Sequence, residues 1–431
     1  MSEKNVLIIT YYWPPSGGSG VQRWLKFVKY LPQFGYTPYV FTPENPSFNL
    51  RDESLLNDVP PEAEVIHFPI WEPYGVFQKA SGKTGGSMVS TSSNTSIPGR
   101  LAVWIRGNLI IPDPRVFWVR PSVKFLNDFI RDKGIKVIIT TGPPHSMHLI
   151  GWKLRKRNPS LRWIADFRDP WSTWGLLDTL KAGKMARYLH RYLEKAVLQR
   201  ADKVITITPF YARKFAELGE RKVDLVTNGF DEDDFRGMTI RRSQKFLMRH
   251  VGTVNEKCDP RPLLLAVKQL ASADMGFASA AEVNFIGDVH PEVRAYVAGD
   301  PALAKLVTFT APVSHNELMA YYEESSLLLI ILTGYRDAEG YMPGKLFEYL
   351  ATGLPVLGTG PEDGNAAMML KETATGTILD GRKTPELVAQ LSALYAEWVR
   401  GDFHTRASAA ADKFSRRALT RSLVEIITSL E

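Results

Sequence analysis

Within Pro343-Gly344-Lys345-Leu346-Phe347-Glu348-Tyr349-Leu350-Ala351-Thr352-Gly353-Leu354-Pro355, a cation and a carboxylate stand three residues apart, bracketed by helix punctuation. Proline suits the first helical position and glycine a left-handed C-terminal cap, so Pro343 and Gly353 predict a short helix feeding a buried strand. On its wheel Glu348 shares a face with Gly344 and Lys345, one turn nearer the N-terminus, while Leu346, Phe347 and Leu350 form the apolar side. Open N–H groups at Gly344 to Leu346, helped by the Lys345 ammonium, can hold phosphate oxygens. Glu348 can accept hydrogen bonds from a pair of ribose hydroxyls. The chemistry suits a nucleoside diphosphate; the alternative is an ordinary solvated Glu on a surface helix.

Other chemistry-bearing residues fall at the ends of predicted strands. Val6 to Thr10 is followed by a loop with Gly17, Gly18 and Gly20, then a helical pattern through Val21, Trp24, Leu25, Val28 and Leu31. Such glycines let amides approach a ligand at the C-terminal end of a strand, or serve the turn alone. The dinucleotide fingerprint fails because Arg23 stands where its third glycine belongs; Arg23 reads as a solvated helix residue. Val137 to Thr141 is a strand whose exit loop, Gly142 to Ser146, carries His145, with Ser146 as N-cap of the next helix. His145 can serve an acceptor or donor, or be a loop imidazole satisfied by backbone. Arg162 to Asp166 is a further strand. Asp166 and Arg168 at its end either bind an acceptor hydroxyl, with Asp166 as proton acceptor, or form an internal ion pair fixing the loop. Asp169 before Pro170 has the form of an N-cap.

These residues need elements to position them, and the chain supplies two successive βα arrays. Strands over Val6–Thr10, Thr37–Phe41, Glu64–Phe68, Val137–Thr141, Arg162–Asp166, Lys203–Ile207 and Val223–Val226 form the first. Lys245–Val251, Glu282–Ile286, Val307–Thr310, Leu327–Leu332, Pro355–Leu357 and Gly376–Leu379 form the second. An α/β protein of two Rossmann-like domains follows, over 1–232 and 243–412, joined by a charged, turn-rich hinge. Residues 79–98, rich in Gly, Ser and Thr, read as a mobile loop. Leu101 to Arg120 interleaves Trp104, Phe117 and Trp118 with arginines, which suits a membrane interface or a lipid-linked acceptor, or packing into the first domain.

Composition narrows the class. With 431 residues, 44% apolar and 23% charged, the chain is an ordinary globular protein long enough for two cores. The single Cys258 excludes an internal disulfide and a cysteine-cluster metal site. The net charge of +7 favours anionic partners such as nucleotide sugars or acidic lipid head groups, and no basic-aromatic module for nucleic acid is visible. Lacking a long apolar run or a signal-peptide pattern, the protein is expected to be cytoplasmic, or peripheral on the inner face of a membrane.

The Lys345–Pro355 stretch, the first glycine loop and the two-lobe alternation, in that arrangement, resemble the family-four retaining glycosyltransferases of GT-B architecture. Pro112-Asp113-Pro114 with Trp118 resembles a bacterial branch acting on polysaccharides or lipid-linked saccharides. The family carries two Glu separated by seven residues; Glu348 matches the second, whereas the first falls on Gly340 and Glu339 stands one place out of register. The loop Gly252 to Lys257 is where the family presents an Arg and a Lys to the diphosphate. Here Thr253 replaces the Arg and Lys257 is one place off, with Arg261 nearby.

The resemblance implies two Rossmann-like lobes facing across a cleft and a C-terminal helix, 413–431, returning to the first lobe. It further implies transfer with retention, without bound metal or cofactor, from a nucleotide-diphosphate sugar to a saccharide or lipid-linked acceptor. Gly17, Gly18, Thr253, Lys257, Glu339, Gly344, Lys345, Leu346 and Glu348 would then serve the donor. Two other readings stay open: a nucleotide-sugar epimerase of the same architecture, and a non-catalytic sugar-nucleotide or polysaccharide-binding assembly protein.

Overall fold

A computed structural model describes residues 4–46, 51–72, 97–173, 175–332, 334, 337–402 and 409–430. Strands β1 (Lys4–Ile9), β2 (Tyr36–Pro43), β3 (Glu64–Phe68), β4 (Val137–Gly142), β5 (Arg162–Phe167), β6 (Lys203–Thr206) and β7 (Asp224–Leu225) form one parallel sheet in the order β3-β2-β1-β4-β5-β6-β7. The second sheet, also parallel, comprises β8 (Phe246–Val251), β9 (Ala281–Ile286), β10 (Val307–Thr310), β11 (Leu327–Ile331), β12 (Val356–Thr359) and β13 (Gly376–Leu379), ordered β10-β9-β8-β11-β12-β13. Helices cover both faces, so central strands such as Leu327–Ile331 are buried along their whole length. That burial is why they read as unbroken apolar runs.

The chain divides into two compact units, residues 1–227 with 419–431, and residues 228–418. Helix Arg416–Thr428 starts in the second unit, where the Arg416 N–H donates to the Phe230 carbonyl at 2.8 Å. Its apolar stripe, Leu419, Leu423 and Ile427, then packs with Val6, Val28 and Val40 of the first unit. Each such buried side chain contributes about 1.5–3 kcal/mol.

The strand orders fix where ligands can bind. In each sheet the order reverses once, between β1 and β4 and between β8 and β11. Loops leaving the C-terminal ends of those two strands diverge and open a crevice. The first pair of loops carries Gly17, Gly18 and His145; the second carries Thr253, Lys257 and Glu339, and leads into the Gly344 helix.

Two segments differ from the sequence expectation. Residues 79–96 of the expected mobile loop lie outside the described residues, while 97 and 98 already belong to helix Ile97–Asn108. Leu101 to Arg120 divides between its two readings, membrane interface and packing into the first domain, because a second helix, Val116–Asp132, turns part of it inward. Trp118 is buried, stacks on Phe41 at 4.8 Å and donates from Nε1 to the Pro69 carbonyl. Arg115 pairs with Glu72 at 2.9 Å and lies over the Tyr11 ring, whereas Trp104 stays exposed.

Candidate functional site

In the second unit the predicted helix runs Gly344–Thr352 and ends on Gly353 at φ 68°, the left-handed cap its sequence calls for. Pro343 is its N-cap, with extended ψ of 148°, rather than the first helical residue. No side chain caps this end. Leu346 donates its N–H to the Pro343 carbonyl at 3.0 Å, so the amides open to a ligand are those of Gly344 and Lys345, not all three. Tyr349 ties the helix to the sheet: its hydroxyl accepts from the Val251 N–H at 3.0 Å and meets the Leu329 carbonyl at 3.4 Å.

Lys345 does not lie loose on the surface. Its Nζ donates to Nε2 of the fully buried His250 at 2.9 Å. The Nδ1 of His250 lies 3.0 Å from the Leu329 carbonyl, which fixes the tautomer: Nδ1 donates and Nε2 accepts. Burial, then the Lys345 charge, holds His250 well below the ordinary histidine range, so it stays neutral. Burial pulls Lys345 down to about 8, opposed by nearby Cys258 and Glu348. The ammonium therefore lies under the loop after β8, where Gly252 at φ +102° leaves room; a Cβ there would stand 3.3 Å from Lys345 Nζ. Three residues on, Glu348 is half-buried, and its Oε2 accepts from the Tyr322 hydroxyl at 2.9 Å. That bond sets the carboxylate's orientation one helical turn behind the amides and the ammonium.

The remaining second-unit candidates are placed around this helix less directly. Thr253 and Lys257 are exposed on the loop after β8, and the backbone of Lys257 abuts Gly334 in the loop after β11. Arg261 forms a local pair with Asp259 at 2.7 Å. Glu339 is exposed on a single 3-10 turn, Ala338–Gly340, whose backbone lies 3.2 Å from where a Cβ on Gly364 would stand. Beside that turn, at the ends of β11, β12 and β13, lies a groove of about 680 Å³ bordered by Gly334, Ala338, Gly360, Glu362, Asp380 and Arg382.

In the first unit Asp166 and Arg168 are both buried, so of the two readings the internal one is nearer, but Asp166 takes its ion pair from Arg23 and not from Arg168. Asp166 is fully buried, and its carboxylate accepts from Arg23 Nε at 3.1 Å, Arg23 Nη2 at 2.9 Å, Trp24 Nε1 at 2.7 Å and Thr141 Oγ1 at 2.9 Å. It anchors helix Ser19–Tyr30 to the sheet and has no surface from which to take a proton. Arg23, expected to be solvated, is 1% exposed and is its partner. Arg168 donates to the carbonyls of Gly20, Gly142 and Pro143, so its guanidinium staples the glycine loop to the β4 exit loop. Gly18, at φ +91° and exposed, is the N-cap of helix Ser19–Tyr30 without any side-chain cap; Gly17 precedes it half-buried.

His145 occupies the expected strand end but is not satisfied by backbone. It is buried, and neither ring nitrogen has a hydrogen-bond partner among the described residues. Its ring stacks on Trp171 at 4.9 Å and 3°, while Trp171 Nε1 donates to His190. Burial first, then His148, Arg168 and His190, push His145 far down, so it is neutral. An imidazole buried without partners costs about 1–3 kcal/mol, a cost that a polar ligand at this edge would remove. Ser146 is the first helical residue rather than the cap, and Asp113 accepts from its N–H at 2.9 Å and its hydroxyl at 2.9 Å.

Asp169 is the residue that sequence reasoning set aside. No helix starts at Pro170, because the Trp171 and Ser172 N–H groups donate instead to the buried Glu194. Asp169 is half-buried beside Arg168, and burial, followed by Asp166, raises its pKa against the pull of Arg168. The only sequence signal was its place two residues past the end of β5. Among the described residues no group of three or more His, Cys, Asp or Glu is arranged to hold a metal ion.

Two parallel-sheet α/β domains, each with its loops at a reversal of strand order, define the GT-B class of fold. Residues 17–229 match the family described as glycosyl transferase 4-like domain, and residues 247–397 the family described as glycosyl transferases group 1. The chain belongs to the group 1 glycosyltransferases. Solved structures agree at the level of fold. A glycosyltransferase from Rickettsia africae ESF-5 has a TM-score of 0.66 at 13% identity, over 100% of this chain and 99% of its own. Sucrose-phosphate synthase from Thermosynechococcus elongatus has a TM-score of 0.62 at 15% identity, over 99% of each chain. Anabaena Alr3699/HepE, solved with UDP and glucose, has a TM-score of 0.59 at 12% identity, over 99% of this chain and 100% of its own. No curated protein matches the sequence.

Proposed function

We propose that the protein transfers a sugar from a nucleoside-diphosphate sugar to a saccharide or lipid-linked acceptor, with retention of anomeric configuration and without a bound metal. The observation that carries this reading is the Gly344 helix, with its uncapped amides, the Lys345 ammonium held by His250, and Glu348 oriented by Tyr322. The amides and the ammonium take the diphosphate, and Glu348 takes the ribose hydroxyls. As the glycosidic bond breaks, negative charge grows on the diphosphate, and these fixed donors stabilise it without reorganising. Binding of UDP and glucose by the Anabaena relative supports a nucleotide-sugar donor here.

In the first unit, His145 is a neutral hydrogen-bonding group for a sugar hydroxyl, and Asp169 replaces Asp166 as the candidate to accept the acceptor's proton. Arg168 positions both loops through their carbonyls. The test is a thermal-shift screen of nucleotide sugars, followed by measurement of diphosphate release and product anomer by NMR. Glu348→Ala should abolish release while the fold stays intact, at a stability cost of about 1–3 kcal/mol for the stranded Tyr322 hydroxyl; turnover like that of the unsubstituted protein sinks the proposal. A binding protein that does not transfer is the second reading, favoured by the burial of Asp166 and by Thr253 where the family has Arg. Calorimetric donor binding without turnover on any acceptor would support it, and conversion of donor configuration without acceptor would mark an epimerase.

A further inference from the structure

Exposed apolar side chains of the first unit gather on two neighbouring helices. On helix Lys184–Arg200, Met185, Tyr188, Leu189 and Tyr192 recur at helical spacing and are 79%, 67%, 38% and 51% exposed. The opposite side of that helix is already used, with Ala186, His190, Glu194 and Val197 buried. Helix Ile97–Asn108 repeats the arrangement: Ile97, Leu101 and Trp104 stand exposed at i, i+4 and i+7, and exposed Leu109 follows. The two helices are tied together. Asn108 Oδ1 accepts from the Gly183 N–H at 2.8 Å, and Asn108 Nδ2 donates to the Lys181 carbonyl at 3.3 Å. Single exposed leucines need no explanation; aromatic and aliphatic stripes on adjoining helices do.

The charge around these stripes selects what covers them. Arg100, Lys184 and Arg191 are exposed along the same helices, and Lys181 is exposed in the turn just before the second. Their acidic complement is small: Glu194 is buried against Trp171 and Ser172, and Asp178 pairs with Arg187 at 2.8 Å. A second copy docking by two-fold symmetry would set these cations near their own counterparts, which repel. An anionic surface meets no such opposition, and Trp and Tyr beside Lys and Arg suit the boundary between head groups and acyl chains. Among the described residues no helix is long and apolar enough to cross a membrane, so contact there is lateral.

We propose that the Ile97–Asn108 and Lys184–Arg200 helices form a docking face for an anionic phospholipid bilayer. The inference goes beyond sugar transfer and does not depend on it. Flotation of the full chain with vesicles of phosphatidylcholine, with and without phosphatidylglycerol, tests it directly. Binding is expected to the acidic vesicles alone and to fall with added salt, because exposed cations are screened. Each cation near such a surface contributes roughly fivefold in partitioning, so Lys184→Gln with Arg191→Gln should weaken binding about 25-fold. Tyr188→Ser with Tyr192→Ser should weaken it as well, with nucleotide binding and thermal unfolding unchanged in both variants. Failure to bind acidic vesicles, equal binding to neutral ones, or indifference to both double variants overturns the proposal. So does a dimer in sedimentation velocity that the tyrosine variant dissolves.

Discussion

Raising the pH should loosen a nucleoside diphosphate from this protein, and Lys345 sets where. Its ammonium loses hydration by burial, which outweighs the pull of nearby Cys258 and Glu348, and its hydrogen-bond partner His250 is neutral, so its pKa comes down to about 8. A bound diphosphate favours the charged form, so binding above that value must take up a proton. If only the ammonium form binds tightly, affinity is nearly flat below the pKa and falls about tenfold per pH unit above it. Between about pH 7 and about pH 9 the dissociation constant should therefore rise roughly tenfold. The assay is isothermal titration calorimetry with the diphosphate chosen by thermal shift, in buffers of differing ionisation enthalpy so that proton uptake is read independently. Lys345→Met serves as the control for every other titrating group: it should bind about 1.5–3 kcal/mol more weakly at neutral pH and lose the steep limb. Lys345→Arg, always charged, should lose the limb while keeping part of the affinity. A flat profile in the unsubstituted protein, or the same slope in the methionine variant, refutes placing the diphosphate on this ammonium.

Glu348→Ala should erase the preference for ribonucleoside over dideoxyribonucleoside diphosphates, measured by competition; a preserved preference means that the ribose is held elsewhere. Asp166→Ala strands the guanidinium of Arg23, which is 1% exposed, and should cost about 3–5 kcal/mol in urea unfolding. A loss under about 1 kcal/mol would show that the pair is not the anchor described. Asp169 has a raised pKa, so a reaction needing its carboxylate should slow as pH falls through that raised value. Asp169→Asn should remove this acid limb along with most of the rate, and an unchanged pH profile would exclude the role.

The sheets were legible because strands buried on both faces are continuous apolar runs, and parallel order follows once helical patterns alternate with them. What stayed hidden was which side of a strand meets which helix. Along β5, Trp163, Ala165 and Phe167 enter one core cluster while Ile164 enters another, shared with Trp24. Parity places Asp166 on the side of Ile164, facing the helix that carries Arg23 and Trp24. A carboxylate sent to that side needs cationic and N–H partners from a helix more than a hundred residues away in sequence, and no local pattern announces them. The same physics explains Asp169. An N-cap is useful only where amides lack acceptors, and Glu194 had already taken those of Trp171 and Ser172.

At the Gly344 helix the balance reverses. The face shared by Gly344, Lys345 and Glu348 follows from helical spacing alone, but His250 comes from β8, across the reversal in strand order. Thr253 stands where the family resemblance implies an Arg, so the loop taken by itself is short of a cation for a phosphate. Yet the β8 loop and the Gly344 helix flank one crevice, and a phosphate responds to the field there rather than to the element that supplies it. A lysine reaching under Gly252 from the helix side delivers positive charge to that same loop. Loss of the motif residue is therefore compatible with an intact anion site, provided that the substitute is held in position. Here a buried, neutral histidine, pinned by the Leu329 carbonyl, holds it.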